Sequence, residues 1–341
     1  MAAFNPLKSP VDLKIDDVCK PYIQRWNTTG LSIGILKDGL INTYNYGEIK
    51  KGTGTLPTTD TIYEIGSITK TFTATILAKF VADGLVSLNE PVVKFLPDDI
   101  AANRQLRKIE LVHLINHTSG LARLPQNLFL YSNPYRNPYK NYNTARLFAA
   151  LKKCSLKSVP GDAYAYSNFA TGLLGVILER VSGKRYDLLV KEIITGPLKM
   201  ESTAQHLSAE QYGRLAKGYT KWSFPASNWD FDALAACGAL RSTVNDLMLY
   251  AQANMANGTD KLSMAFGLAH KVTHNKPQVA LGWHLLTYNS ADYLWHNGGT
   301  GGSRSFLILN AEKKFAAIVL ANAAVSCDEL AIKMLRALQE A

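Results

Sequence analysis

Apolar residues change period along the chain, and each change predicts an element. Residues 31–36 and 40–46 are strand-like runs, and Lys37-Asp38-Gly39 between them carries the Asp-Gly signal of a tight hairpin. From about residue 71 to 256 the spacing turns helical, with Phe72, Ile76, Leu77 and Phe80 separated by threes and fours. Leu173, Leu174, Ile177 and Leu178 repeat the pattern. Strand signals return over 280–288, 293–296, 305–309 and 315–321, ahead of an amphipathic helix over about 327–338. Strands at both ends with helices between them predict one sheet assembled from the two termini, with the helical region inserted. Tyr131-Ser-Asn-Pro, Tyr135-Arg-Asn-Pro and Tyr139-Lys-Asn recur every four residues, and their Pro and Asn content predicts a loop.

Composition narrows the function classes. With 341 residues and a 47% hydrophobic share, the chain is long and apolar enough for a packed core. Its longest apolar run, residues 315–325, falls short of the roughly 20 residues of a membrane span and is broken by Asn322, so it reads as a buried strand. The N-terminal M-A-A-F-N-P-L-K-S-P has neither an apolar core nor a cleavage signature, so this form carries no export signal: the protein is cytosolic or a leader is missing. Cys19, Cys154, Cys237 and Cys327 lie far apart and read as buried free thiols. The 37 basic and 27 acidic residues give a net charge of +10, which favours anionic partners. The basic residues are spread along the whole chain, without a basic run or nucleic-acid module, so nucleic acid is not an expected partner.

Three segments carry candidate chemistry. Ser67-Ile-Thr-Lys70 sits where a strand-like run gives way to the helical pattern, so Ser67 falls near a helix start with Lys70 on the same face. A serine hydroxyl is inert until a base accepts its proton, and a lysine shielded from water supplies one. Ser-x-x-Lys is common by composition, and a capping serine followed by a surface lysine is the bland alternative. Tyr166-Ser167-Asn168 lies between the turn at Pro160-Gly161 and a helical run, where a phenol could move a proton if a nearby cation lowered its pKa. Tyr131, Tyr135 and Tyr139 also head Tyr-x-Asn copies, but only Tyr166 is anchored between a turn and an apolar helix. The third segment runs from Trp295 through His296, Asn297, Gly298, Gly299 and Thr300 to Gly302. It reads either as a substrate-facing strand edge with His296 pointing into a cleft, or as a glycine-rich turn with an incidental histidine. His113 and His117 have metal-ligand spacing, but the helix signal ends at Thr118-Ser119-Gly120, so a structural role is favoured and no metal is expected. Neither a nucleotide-binding glycine motif nor G-x-S-x-G occurs, so no cofactor and no lipase-type triad is expected.

Ser67-x-x-Lys70, Tyr166-x-Asn168 and His296-x-Gly298, in that order, resemble the serine β-lactamase and penicillin-binding-protein superfamily. Residues 83–91, 116–121 and 238–243 are similar to stretches of its class C and DD-peptidase branch. The resemblance implies an α/β fold of the β-lactamase/transpeptidase type: an antiparallel sheet flanked by helices, formed by residues 1–70 and 235–341, with a mostly helical domain at 71–234 and the active site between them. It also implies that Ser67 is the nucleophile, that Lys70 and Tyr166 exchange its proton, and that the amides of Ser67 and Gly299 form an oxyanion hole. Asn168, His296, Asn297, Gly298 and Thr300 would contact substrate, and Arg304 is the available partner for a substrate carboxylate. Class C β-lactamases usually have lysine at the position of His296, whereas DD-peptidases and D-aminopeptidases of this branch often have histidine. The expectation is therefore a D-amino-acid peptidase, DD-carboxypeptidase-like or penicillin-binding enzyme acting on a peptide or small-molecule substrate. A class C-like β-lactamase, an esterase and a non-catalytic penicillin-binding sensor are the alternatives. The resemblance places such a protein in the periplasm or outside the cell.

Overall fold

A computed structural model describes residues 5, 7–130, 133 and 136–339 of the chain. Its centre is an antiparallel sheet of eight strands. The strands of the molecule are β1 (Gly30–Lys37), β2 (Leu40–Gly47), β3 (Tyr63–Glu64), β4 (Arg241–Ser242), β5 (His274–Asn275), β6 (Gln278–Val279), β7 (His284–Tyr288), β8 (Ala291–Gly299), β9 (Arg304–Asn310) and β10 (Phe315–Ala321). The main sheet runs β2-β1-β10-β9-β8-β7-β6-β5, and β3 and β4 pair separately. The β1–β2 hairpin turns where the sequence predicts it, with Asp38 and Gly39 both at positive φ (51° and 81°), as a twisted two-residue hairpin turn requires.

β1 and β10 pair in register from Leu31↔Ala321 to Lys37↔Phe315, joining the two ends of the chain at mid-sheet. β10 is buried along its whole length, because both of its faces are covered. Phe315, Ala317, Val319 and Ala321 pack with helices α1 (Pro10–Ile23) and, at the other terminus, Asp328–Gln339. Ala316, Ile318 and Leu320 face the opposite way, into a larger apolar cluster that reaches Leu114, Leu147 and Leu174 of the helical region. That region contains α2 (Thr69–Ala82), α3 (Thr144–Lys153) and α4 (Asn168–Ser182), followed by α5 (Val244–Met255) and α6 (Lys261–Ala269), with α7 as the C-terminal helix Asp328–Gln339. Among the described residues no helix is long and apolar enough to cross a membrane. All four cysteines are buried and free.

Several boundaries differ from the sequence expectation. The strand expected over 280–288 begins only at His284, because a turn through Gly282 (φ 68°) precedes it. The two-residue strands β3 and β4 are too short for an alternating signal to show. Helix α1 was not anticipated, although Ser9, Pro10 and Asp12 form its capping box and first turn. Asn322, which breaks the apolar run, is fully buried. Its Oδ1 accepts from Gly30 N at 2.6 Å, while Nδ2 donates to the carbonyls of Glu48, Ile49 and Lys217.

Because Ile318 is fully buried between the sheet and the helical region, Ile318→Ala is expected to lower unfolding free energy by about 2–5 kcal/mol in a denaturant titration. Ile41→Ala, on a half-exposed edge of the same sheet, is expected to change it by less than about 0.5 kcal/mol.

Candidate active site

Ser67 lies in a single 3-10 turn, Gly66–Ile68, between β3 and α2. Gly66 sits at φ 49°, and a Cβ there would stand 2.6 Å from Gly299 N. A Cβ on Gly298 would stand 2.0 Å from Ile65 O, so the turn bearing Ser67 is pressed against the end of β8 at a distance only glycines allow. One helical turn further on, the fully buried Lys70 donates from Nζ to Ser67 Oγ at 3.1 Å, Asn168 Oδ1 at 2.9 Å and Cys237 O at 2.7 Å. All three acceptors are neutral. Burial, with no carboxylate partner among the described residues, lowers the ammonium pKa from 10.5 to about 8, and the nearby Arg123 cation pushes the same way.

Tyr166 immediately precedes Ser167, the N-cap of α4, whose Oγ accepts from Ala170 N at 2.9 Å and donates to Ala122 O at 2.7 Å. The phenol lies beside the Ser67 hydroxyl, and its ring lies 4.7 Å beneath Lys70 Nζ and 4.9 Å beneath the Arg123 guanidinium. From the sequence, proton transfer by this phenol is conditional on a nearby cation lowering its pKa. Here burial dominates and raises it, so Tyr166 is a neutral O–H donor beside a lysine whose charged form is disfavoured.

Ser67, Tyr166 and Asn168 line a cleft of about 530 Å³ with Asn297, Gly298, Gly299, Thr300 and Arg304. Two expected site residues are not among its walls: Lys70 is fully buried, and His296 is 1% exposed and lies behind the cleft, 6.2 Å from the Tyr166 ring. His296 Nδ1 donates to Asn297 O at 2.6 Å, its Nε2 has no partner among the described residues, and burial drives its pKa well below 6.5, so it is neutral. Asn168 is engaged at both ends of its amide, by Lys70 and by Tyr139 Oη, to which Nδ2 donates at 3.3 Å. Thr300 donates its hydroxyl to the buried Glu64 at 2.6 Å, and Asn297 Nδ2 donates to Asp328 at 2.9 Å. Arg304 Nη1 braces the glycine-rich turn by donating to the carbonyls of Thr300 and Ser303, each at 2.8 Å.

Sequence reasoning missed Arg123, Leu124, Trp229, His284, Ser326 and Asp328, which complete the cleft. Tyr139, set aside as a copy of the Tyr-x-Asn pattern, also lines it and stacks on Phe231 at 4.5 Å. Tyr131 and Tyr135 lie outside the described residues. His284 is adjacent to His296, with ring centroids 4.9 Å apart, and burial lowers its pKa to about 4. None of these positions belongs to a compact motif, and only the adjacency of Arg123 to the Ser119-Gly120-Leu121 segment hinted at a role. His113 and His117 do not share a helical face: His117 lies beyond the helix Leu111–Ile115 at φ 63°. His113 Nδ1 instead accepts from Glu110 N at 3.1 Å as part of a helix cap.

Comparison with known proteins places this arrangement. The Beta-lactamase family model matches residues 15–340. The chain is 26% identical to a beta-lactamase of Pseudomonas fluorescens, over 80% of this chain and 74% of that protein. It is 27% identical to the D-alanyl-D-alanine-carboxypeptidase/endopeptidase AmpH of Escherichia coli K12, over 86% and 79%. Among solved structures, the beta-lactamase/D-alanine carboxypeptidase of Pseudomonas syringae superposes with a TM-score of 0.84 at 25% identity, covering 98% of this chain and 99% of that one.

The geometry separates the two tyrosines. Tyr166→Phe is expected to slow turnover of an activated ester by roughly 10²–10⁴-fold, the usual effect of losing an acid–base group. Tyr139→Phe, which loses only the contact with Asn168, is expected to cost far less, and steady-state kinetics on the two variants checks the ranking.

Proposed function

We propose, for a chain that belongs to the Beta-lactamase family and is a serine hydrolase, that Ser67 is acylated by peptide substrates ending in D-amino acids, in the manner of a DD-carboxypeptidase. The observation that carries this reading is the buried Lys70 Nζ, 3.1 Å from Ser67 Oγ and, among the described residues, with no carboxylate to keep it charged.

In its neutral form Lys70 accepts the Ser67 proton as Oγ attacks the substrate carbonyl carbon. The oxygen charge that develops is met by the backbone N–H groups of Ser67 and Gly299, on the two segments that the Gly66 contact presses together. When the tetrahedral intermediate collapses, the bond from the carbonyl carbon to the leaving nitrogen breaks. Tyr166 donates its phenolic proton to that nitrogen and is reprotonated from Lys70, so both groups return to their starting states. Water then attacks the acyl-enzyme, Lys70 takes its proton, and Ser67 recovers a proton as the acid leaves. The raised pKa of Tyr166 and the lowered pKa of Lys70 suit a donor and an acceptor working as a pair.

The remaining proton on the Asn168 amide is available to a substrate carbonyl, which supports a binding role for that residue. Similarity to AmpH, a D-alanyl-D-alanine-carboxypeptidase/endopeptidase, supports the choice of peptides. The Pseudomonas fluorescens relative favours a β-lactamase as the second reading.

A panel of D-Ala-D-Ala peptides, p-nitrophenyl esters and nitrocefin tests the proposal, with mass spectrometry locating the adduct. The expected adduct is on Ser67 and is absent in Ser67→Ala, with turnover of peptide or ester exceeding that of nitrocefin. Rapid nitrocefin hydrolysis without peptidase or esterase activity selects the second reading, and an adduct on Ser119 or Ser303 overturns both.

A pH profile gives a separate check. Because only neutral Lys70 accepts a proton and its pKa is about 8, the acylation rate is expected to rise about tenfold per pH unit below pH 8 and to level off above it. Lys70→Arg, which stays protonated throughout, is expected to fold but to retain less than about a tenth of the rate.

A further inference from the structure

The cleft contains two arginines in different electrostatic situations. Arg304 is turned onto the carbonyls of Thr300 and Ser303, and the Asp328 carboxylate on the same side of the cleft offsets its charge. Arg123 stands exposed on the helical side. Its guanidinium lies 4.9 Å over the Tyr166 ring, and among the described residues no carboxylate and no side-chain hydrogen bond holds it. Its backbone, by contrast, is fixed: Arg123 O accepts from Asn168 N at 2.9 Å and from Phe169 N at 3.3 Å, tying the residue to the start of α4. An arginine anchored at its backbone, stacked on a reacting phenol and unpaired at its planar fork is suited to a bidentate anion delivered by the ligand.

We propose that Arg123 is a specificity-determining residue that pairs with a carboxylate of the substrate, a step that rests on the Ser67 reading above. The substrate class is then narrowed to carboxylate-bearing acyl compounds, with Arg123 rather than Arg304 reading the anion. Stacking on Tyr166 holds the guanidinium beside the reacting atoms, so the bound carboxylate lies near the bond being cleaved. Arg304 keeps the glycine-rich turn in shape.

The test uses ester pairs matched in size. For a carboxylate in the acyl part, p-nitrophenyl hydrogen glutarate is compared with p-nitrophenyl pentanoate. For one in the leaving group, 3-acetoxybenzoate is compared with 3-acetoxybenzamide. In the wild type at least one acid is expected to exceed its neutral partner in kcat/KM, and Arg123→Gln is expected to reduce that preference by about tenfold or more. Arg123→Lys should restore part of the preference, added salt should shrink it, and Arg304→Gln should leave it within about threefold. The proposal is overturned if Arg123→Gln leaves both preferences within about threefold, or if Arg304→Gln abolishes the one observed. Loss of neutral-ester turnover in Ser67→Ala tests the nucleophile separately. A calorimetric titration of Ser67→Ala with monomethyl glutarate reads the same contact without turnover. Adding Arg123→Gln should weaken that binding about tenfold, and unchanged binding contradicts the proposal.

Discussion

The site depends on one constraint: an ammonium group enclosed by protein with, among the described residues, no carboxylate to neutralise it. Lys70 is fully buried, and its three acceptors are a hydroxyl, an amide oxygen and a backbone carbonyl. Such an arrangement penalises the charged form and keeps the neutral amine within reach near neutral pH, which is what a serine nucleophile needs from its neighbour. The elements around it serve that geometry. Helix α2 places Lys70 one turn after Ser67, α4 brings Asn168, and the 3-10 turn Ala235–Cys237 supplies the third acceptor.

The histidines around Tyr166 add no charge to that of the lysine. His117, His284 and His296 surround Tyr166, and burial lowers the pKa of each, so none adds a fixed charge at neutral pH. The buried acid Glu64 has partners other than Lys70. It accepts from Thr300 Oγ1 at 2.6 Å and from Trp229 N at 2.7 Å, and lies 3.6 Å from Arg241. That cluster joins β3, β4 and the glycine-rich turn without placing an anion beside Lys70. Among the described residues, the cleft cation without a carboxylate or side-chain hydrogen-bond partner is therefore Arg123, and substrate charge acts on it beside a lysine that is only partly deprotonated.

Much of this was legible in the sequence, because the signals were periodic or compact. Alternating runs at 31–36, 40–46 and 315–321 became neighbouring strands, and the Asp38-Gly39 hairpin formed as its turn chemistry requires. Ser67-x-x-Lys70 and Tyr166-x-Asn168 converge because each marks the start of a helix whose own first turn sets the spacing. What escaped depends on long-range packing. Arg123, Trp229 and Asp328 come from three distant segments, and nothing local marks them as neighbours. The direction of the Tyr166 shift also escaped, because it depends on how deeply the phenol is enclosed. His296 was expected to face a cleft, but strand alternation alone could not say that the pocket on its side would be filled by Tyr166 and His284.

The most direct test of the account is the protonation midpoint of Lys70 itself, read by NMR titration of the labelled lysine side chain in Ser67→Ala, where no acylation interferes. The expected midpoint is near 8, well below the ordinary lysine value, and its signal is missing from a spectrum of the Lys70→Arg variant. A midpoint near the ordinary lysine value of about 10.4 would mean that the group is charged throughout the working range and cannot be the base, which contradicts the central claim.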